Sequence, residues 1–186
     1  MNKEQVNWAK CVIMSYRYLE RMCGAIDKQI EMLATRSYIS SSAWEQLNSV
    51  HNVSKKIIDL SQKKIDYINL KVLTEKILES MNKNLSKILI LKHIKNVKAS
   101  EISAVLKITD RTLFRKINSA LEEFAKFMLK FGFSYEKMEI MHIKDDFIGS
   151  IYNRIVNDNI RFSNKTNKTE FIKNYKLNTC FAGKNA

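Results

Sequence analysis

The sequence predicts an all-α protein, and three observations support the prediction. The 186-residue chain contains no proline. Its only glycines are Gly24, Gly132, Gly149 and Gly183, so the residues that most often end helices are scarce. Apolar residues in the first segments recur at steps of three and four, which is the period of a helix and not of a strand. The apolar fraction of 45% is sufficient for a packed core.

Residues 1–82 predict a long helical hairpin. The first helix is expected from Gln5 to Arg36, with Gly24 weakening it by roughly 1 kcal/mol relative to Ala. The second is expected from Ala43 to Met81, and Ser42 with Glu45 fits a capping box at its start. The apolar face of the first helix comprises Val12, Tyr16, Leu19, Cys23, Ile26, Ile30 and Leu33. That of the second comprises Leu47, Val53, Ile57, Leu60, Ile65, Ile68 and Val72, widened by Leu73 and Ile77, with a shift of face near 62–64.

A short connection between two long helices favours an antiparallel pair. The apolar faces of the two helices have two equally good explanations. They can close on the rest of the chain, or they can form a homodimer through residues 12–33 and 47–77.

Three shorter helices are expected over 83–132, at Leu85–Ile94, Ser100–Leu106 and Asp110 to about Phe131, where Gly132 ends the last one. Residues 133–162 predict one C-terminal helix from Tyr135 to Ile160. The basic tail, 163–186, is rich in Asn, Lys and Thr and is expected to be flexible, with "FIKNYKL" either a short helix or disordered.

The positive charge of the chain is concentrated in two blocks. The net charge is +13 and the pI is near 9.6. Residues 83–130 hold 11 Lys and Arg against 4 Asp and Glu, and 161–186 hold 6 against 1, whereas 131–160 hold 3 against 5. Lysine-rich coding bias would explain a uniform excess. The uneven distribution favours a polyanionic partner, either nucleic acid or an anionic membrane surface.

The cysteines and the apolar runs indicate a soluble, cytoplasmic protein. Cys11, Cys23 and Cys180 are odd in number and none is spaced as CxxC, so neither a disulfide framework nor a cysteine zinc site is expected. The start "MNKEQVNWAK" lacks the apolar core of a secretory signal. No apolar run approaches the roughly 20 residues that span a bilayer, so no membrane partner is expected.

The stretch "SEISAVLKITDRTLFRKINSALEEF", Ser100 to Phe124, predicts a helix-turn-helix. This motif needs a small residue inside its first helix and apolar anchors on both sides of the turn. Thr109 is placed to cap the second helix through its hydroxyl. Leu89 and Ile90 would complete the core from the preceding helix. The predicted motif core is Ile102, Ser103, Leu106, Ile108, Leu113 and Ile117.

The remaining side chains of the motif are candidates for DNA contacts. Arg111 and Arg115 lie four residues apart, and arginine suits guanine edges and phosphates. Phe114 would either contact a thymine methyl or pack against the C-terminal helix. The predicted base contacts are Asp110, Arg111, Thr112, Phe114, Arg115 and Asn118. Phosphate contacts position a protein on DNA without reading the base sequence. The predicted phosphate contacts are Lys98, Lys107, Thr109, Lys116 and Ser119.

Residues 86–124 also resemble region four, the C-terminal DNA-binding domain of bacterial sigma factors. The family's apolar helix, "EIA"-type helix, "I-S/T-x-x-T" turn and basic helix ending in "A-L" correspond to "ILILKHI", "SEISAVL", "ITDRT" and "LFRKINSAL". Two features depart from the family. Lys107 stands where a glycine is usual, and nothing resembles the sigma domain that melts promoter DNA. The resemblance implies a small phage or mobile-element transcription regulator of low-GC Gram-positive bacteria, with double-stranded DNA as a partner and RNA polymerase as a second candidate partner.

Other functions remain open from the sequence. A small-terminase-like packaging subunit of a phage also combines a helix-turn-helix with oligomerising helices. A helical module could contact RNA polymerase without binding DNA, and the stretch could be an ordinary three-helix core with a basic face. An enzyme is not expected. His51, His93 and His142 lack ligand spacing, no glycine-rich phosphate loop occurs, and Asp145–Asp146 reads as a solvated helix face. No cofactor or metal is therefore predicted.

Overall fold

The computed structural model describes residues 2–36 and 43–161, with side chains at 2–35 and 50–161. This part of the chain is all-α and contains no strand, which confirms the predicted fold class. The helices are α1 (Lys3–Arg36), α2 (Ala43–Ser80), α3 (Lys83–Leu89), α4 (Ala99–Leu106), α5 (Asp110–Lys130), α6 (Tyr135–His142) and α7 (146–161), and α3 continues as a π-helical turn at Ile90–Ile94. None of these helices is long and apolar enough to cross a bilayer.

Some predictions lie outside the described residues. They are the Ser42–Glu45 capping box, the side chain of Leu47, Cys180 and the tail 163–186. Cys11 and Cys23 are free thiols, and burial raises the pKa of Cys11 to about 12.

The helices α1 and α2 form an antiparallel pair. Three side-chain contacts fix their register. Lys64 Nζ lies 2.6 Å from Asp27 Oδ1, and Lys71 Nζ lies 3.5 Å from Glu20 Oε2. Tyr16 donates its hydroxyl to Glu75 Oε1 at 2.8 Å. The residue numbers of the partners increase along α2 as they decrease along α1. The two helices therefore run in opposite directions, and the predicted antiparallel arrangement is confirmed.

The first half of α1 lies at the centre of the molecule. Trp8, Ala9, Cys11, Val12 and Ile13 are all buried, so this part of the helix is covered on every side. The predicted apolar face is buried or half-buried, but it accounts for only part of this burial. Part of the additional cover comes from α7. The rings of Trp8 and Tyr152 stack with centroids 4.1 Å apart, and Asn159 Nδ2 donates to Asn7 Oδ1 at 2.9 Å.

The second half of α2 buries only part of the predicted apolar face. Leu73 and Ile77 are buried as members of that face, whereas Ile65, Ile68 and Val72 are 49%, 44% and 41% exposed. The residues that face the core are Tyr67, Leu70, Leu73, Thr74, Ile77 and Met81. Both faces repeat at steps of three and four, so periodicity cannot choose between them. Tyr67, Leu70 and Thr74 were not predicted as core residues. The hydroxyls of Tyr67 and Thr74 are satisfied here by Asp145 and by the carbonyl of Leu70.

The buried apolar residues form one continuous cluster from Trp8 to Ile155. The cluster includes residues of both the predicted hairpin and the predicted DNA-binding segment, because α1 packs against α5 as well as α2. The backbone N–H of Asn82 donates to Glu123 Oε1 at 2.9 Å and fixes the start of α3 against α5. The proposed domain boundary at residue 83 remains a prediction.

The predicted single helix from Tyr135 to Ile160 is wrong. It is divided into α6 and α7 by a turn at 143–145. Asp145 Oδ1 accepts the backbone N–H groups of Phe147 at 2.9 Å and Ile148 at 2.8 Å, which caps α7 and starts a new helix.

Candidate nucleic-acid interface

A three-residue turn at 107–109 joins α4 to α5. Lys107 adopts a left-handed backbone conformation, with φ 52° and ψ 43°. The following N–H, that of Ile108, donates to the carbonyl of Ser103 at 3.0 Å and closes the end of α4. A left-handed lysine costs roughly 1 kcal/mol relative to glycine. The turn therefore keeps the geometry for which glycine is best suited, at some expense in stability.

Thr109 begins α5. Its hydroxyl accepts the backbone N–H of Thr112 at 3.3 Å, which confirms the predicted N-cap. Asp110, the first residue of α5, has a second role because its carboxylate accepts a hydrogen bond from the Ser103 hydroxyl. The small residue inside α4 is thus bonded directly to the start of α5, and this contact fixes the angle between the two helices.

The residues predicted as the motif core lie at the contact of α4 with α5. Ile102 and Leu113 are 1% and 0% exposed, and Ser103 and Ile117 are also buried. Leu106 and Ile108 are half-buried and pack on the same cluster. Leu89 is buried and Ile90 half-buried. Farther along α5, the buried face continues through Ala120, Leu121, Phe124, Ala125 and Met128.

The five polar residues predicted to contact bases divide into two groups. Arg111, Arg115 and Asn118 are exposed and have no hydrogen bond or ion pair within the described part of the chain. Asp110 is exposed but bonded to Ser103, and Thr112 is half-buried with its hydroxyl 2.9 Å from that of Thr109. The first group is free to contact a ligand, whereas the polar atoms of the second already serve the turn.

Cations stand before α4, in the turn and on α5. Lys98 immediately precedes α4, Lys107 lies in the turn, and Lys116 lies on α5, all exposed. Ser119 is exposed one residue after Asn118. Thr109 is exposed, but its hydroxyl is engaged in capping. The three lysines are therefore the predicted phosphate contacts whose charged groups are available.

Phe114 was predicted either to contact a thymine methyl or to pack against the C-terminal helix, and neither alternative describes its position fully. It is 51% exposed and lines a cleft of about 570 Å³ between α1, the π-helical turn, α5 and α7. Asn118 lines the same cleft. The sequence reasoning missed the cations that meet Phe114 there, which are Lys10, Arg17, Lys92 and Arg154. They come from three separate segments, so no local pattern could have grouped them.

The chain has no significant match among protein-family models, curated proteins or solved structures.

Proposed function

We propose that the protein is a sequence-specific DNA-binding transcription regulator in which α4 and α5 act as a helix-turn-helix. The observation that supports this most strongly is the division of α5 into two faces. Leu113 and Ile117 are buried, while Arg111, Arg115 and Asn118 project from the outside at steps of four and three. An exposed helix of this kind fits the major groove, where arginine pairs with guanine and asparagine with adenine.

The charge of the surrounding segment supports the same proposal. Residues 83–130 have seven more cations than anions. Lys98, Lys107 and Lys116 would contact phosphates on either side of α5 and fix its position in the groove. The resemblance to region four of sigma factors, at residues 86–124, lies within this same segment.

Selection of bound sequences from a random DNA pool, repeated across a salt series, tests the proposal. A recovered motif whose affinity falls steeply with salt is the expected result, because phosphate contacts release counterions. Salt-sensitive binding without any motif would instead indicate a packaging subunit or non-specific coating. Absence of binding at moderate salt would overturn the assignment.

Two neighbouring substitutions separate base reading from phosphate binding. Arg115→Ala should cost roughly 1–3 kcal/mol of binding and relax the preference at one base pair. Lys116→Ala should weaken binding to all sequences alike and reduce the salt slope by about 1. Lys126→Ala is the matched control, because this exposed lysine lies three turns farther along α5. Wild-type behaviour of both test variants on every sequence would refute the groove assignment.

A homodimer would use α2 and not the whole predicted hairpin. Val12, Leu19 and Ile26 are buried within the chain and cannot meet a second copy. Ile65, Ile68 and Val72, together with Ile58 at 67% exposure, form an apolar stripe on the outer face of α2. We expect a second copy to pair through this stripe, so that Ile65→Glu lowers the mass measured by analytical ultracentrifugation. A palindromic DNA motif would agree with the dimer, and a monomeric wild-type mass would exclude it.

A further inference from the structure

The cleft between α1, the π-helical turn, α5 and α7 has the dimensions of a ligand site. Its volume of about 570 Å³ is within the range of small-molecule pockets, which are mostly apolar with a few polar groups. Met14, Phe114, Phe147 and Ile151 supply apolar wall from three different helices. A bound molecule could therefore bury an aromatic or aliphatic body here.

The charged side chains of the cleft are all positive. Lys10 and Arg17 come from α1, Lys92 from the π-helical turn and Arg154 from α7, and no acidic residue lines the cleft. None of the four forms a salt bridge with another described residue. The guanidinium of Arg17 is held over the Tyr18 ring, 4.4 Å from its centroid. A cleft lined by charges of one sign concentrates counterions, and here the counterion is an anion.

His93 adds an unsatisfied polar group to the wall. Its Nε2 atom is buried and has no hydrogen-bond partner among the described residues. Burial, followed by the charges of Lys10, Lys92 and Arg17, lowers the pKa of His93 to about 4. The imidazole is thus neutral at pH 7. An anion in the cleft would offset the surrounding cations and favour the protonated ring.

We propose that this cleft binds a small organic anion, in which a carboxylate, sulfonate or phosphate group is joined to an apolar body. The cations would hold the anionic group, and the aromatic and aliphatic walls would bury the body. The chain's own C-terminal segment fits poorly, because 161–186 hold 6 basic residues against 1 acidic residue and have the same sign as the cleft. A DNA backbone has the right charge but no apolar body to fill the walls.

Occupancy of the cleft would act on α5. Phe114 and Asn118 line the cleft and also belong to the predicted base-reading face. An anion bound there would compete for both side chains and weaken DNA binding. This consequence rests on the proposed function, whereas the anion site itself does not.

Two fluorescent probes with the same aromatic rings test the site. One is 8-anilinonaphthalene-1-sulfonate, and the other is N-phenyl-1-naphthylamine, which lacks the sulfonate. We expect the full chain to bind the sulfonate with one molecule per chain and to bind the neutral amine at least about tenfold more weakly, because charge-assisted hydrogen bonds are lost. Equal binding of the two probes would show an apolar patch only and would overturn the proposal.

The double variant Arg17→Gln/Arg154→Gln tests the location. It should lose about tenfold or more in sulfonate affinity, while Lys126→Gln, an exposed lysine outside the cleft, should bind as wild type. Unchanged affinity in the double variant would place the probe elsewhere and refute the site. Circular dichroism melting shows whether each variant is folded. If the double variant unfolds, Arg154→Gln alone decides, because Arg154 is exposed on α7.

Two further measurements separate the parts of the inference. Inorganic phosphate at the same concentration should not displace the sulfonate, and displacement would reduce the site to one for simple ions. In wild-type protein, NMR titration should show that the sulfonate raises the pKa of His93. An unchanged His93 pKa in the saturated protein would contradict the site. If the selected DNA fails to bind with or without the probe, the proposed function fails while the probe result stands.

Discussion

The turns before α5 and before α7 both use an aspartate, but the aspartates are held by different parts of the chain. At 107–109, the contacts are local. Thr109 caps the helix it begins, and the partner of Asp110 is Ser103, seven residues earlier. No described residue from another part of the chain is bonded to these side chains. The break between α4 and α5 is therefore determined by neighbouring residues.

At 143–145, the aspartate is held from a distance. Asp145 Oδ2 lies 2.8 Å from Lys63 Nζ and 2.8 Å from the Tyr67 hydroxyl, and both partners lie on α2. Burial alone would raise the pKa of Asp145. The bonds from Lys63, the Ile148 N–H and Tyr67 outweigh it, so the pKa is lowered. A turn held in this way depends on α2 being in place, so the two turns should respond differently to substitution.

The largest effect is expected when Asp145 is removed. Asp145→Ala deletes the cap of α7 and leaves Lys63 and Tyr67 without their acceptor. It should lower the free energy of unfolding by about 3 kcal/mol, measured by urea denaturation. The exposed neighbour Asp146→Ala should cost less than about 1 kcal/mol. Equal losses in the two variants would mean that the contacts with α2 contribute little.

Gly149 should also resist substitution, because it lies close against the backbone of the turn before α7. An added Cβ would lie 2.5 Å from the carbonyl oxygen of Ile143, so the turn would have to move. Gly149→Ala is expected to destabilise by about 2 kcal/mol. Gly24→Ala should have the opposite sign, because a Cβ there meets no atom within 4 Å, and it should stabilise α1 by about 1 kcal/mol. Thermal melting of the two variants gives the shift in melting temperature for each. A shift of the same sign in both would contradict this account.

The local turn should improve when its strain is relieved. Lys107→Gly removes a left-handed lysine and should raise the unfolding free energy by about 1 kcal/mol. Asn96 also has a positive φ, of 54°, but asparagine tolerates this region. Asn96→Gly should therefore change stability by only a few tenths of a kcal/mol, roughly. A loss of stability in Lys107→Gly would show that the lysine side chain stabilises the turn by more than its left-handed backbone costs.

The smallest effect is expected in the pH dependence of the turn before α7. Burial lowers the pKa of His142, although Asp66 and Asp145 pull it upward. The folded state then binds fewer protons than the unfolded state, so stability falls as pH decreases through the unfolded histidine pKa of about 6.5. His142→Gln should reduce the loss between pH 7.5 and 5, measured by denaturation at each pH. His93, whose pKa is also lowered by burial, should contribute to the remaining loss. An identical slope in variant and wild type would exclude His142.

Local patterns predicted the elements whose determinants lie close together in sequence. The absence of proline and the steps of three and four predicted long helices, and α1 and α2 end where expected. The N-cap at Thr109 and the end of α5 before Gly132, with φ of 78°, follow from residue chemistry within one or two turns. The exposure of Arg111 and Arg115 follows from the burial of Leu113.

Three features were decided only by tertiary structure. The face of α2 that is buried was ambiguous, because Ile65 and Tyr67 lie on different faces with the same period, and packing against α1 and α7 selected Tyr67. The break before α7 required Lys63 and Tyr67. The cationic cleft required Lys10, Lys92 and Arg154 to meet across three helices. The sequence by itself determined where most helices begin and end, because capping and backbone conformation are local. The fold decided which faces and charges come together, because those interactions join residues far apart in the chain.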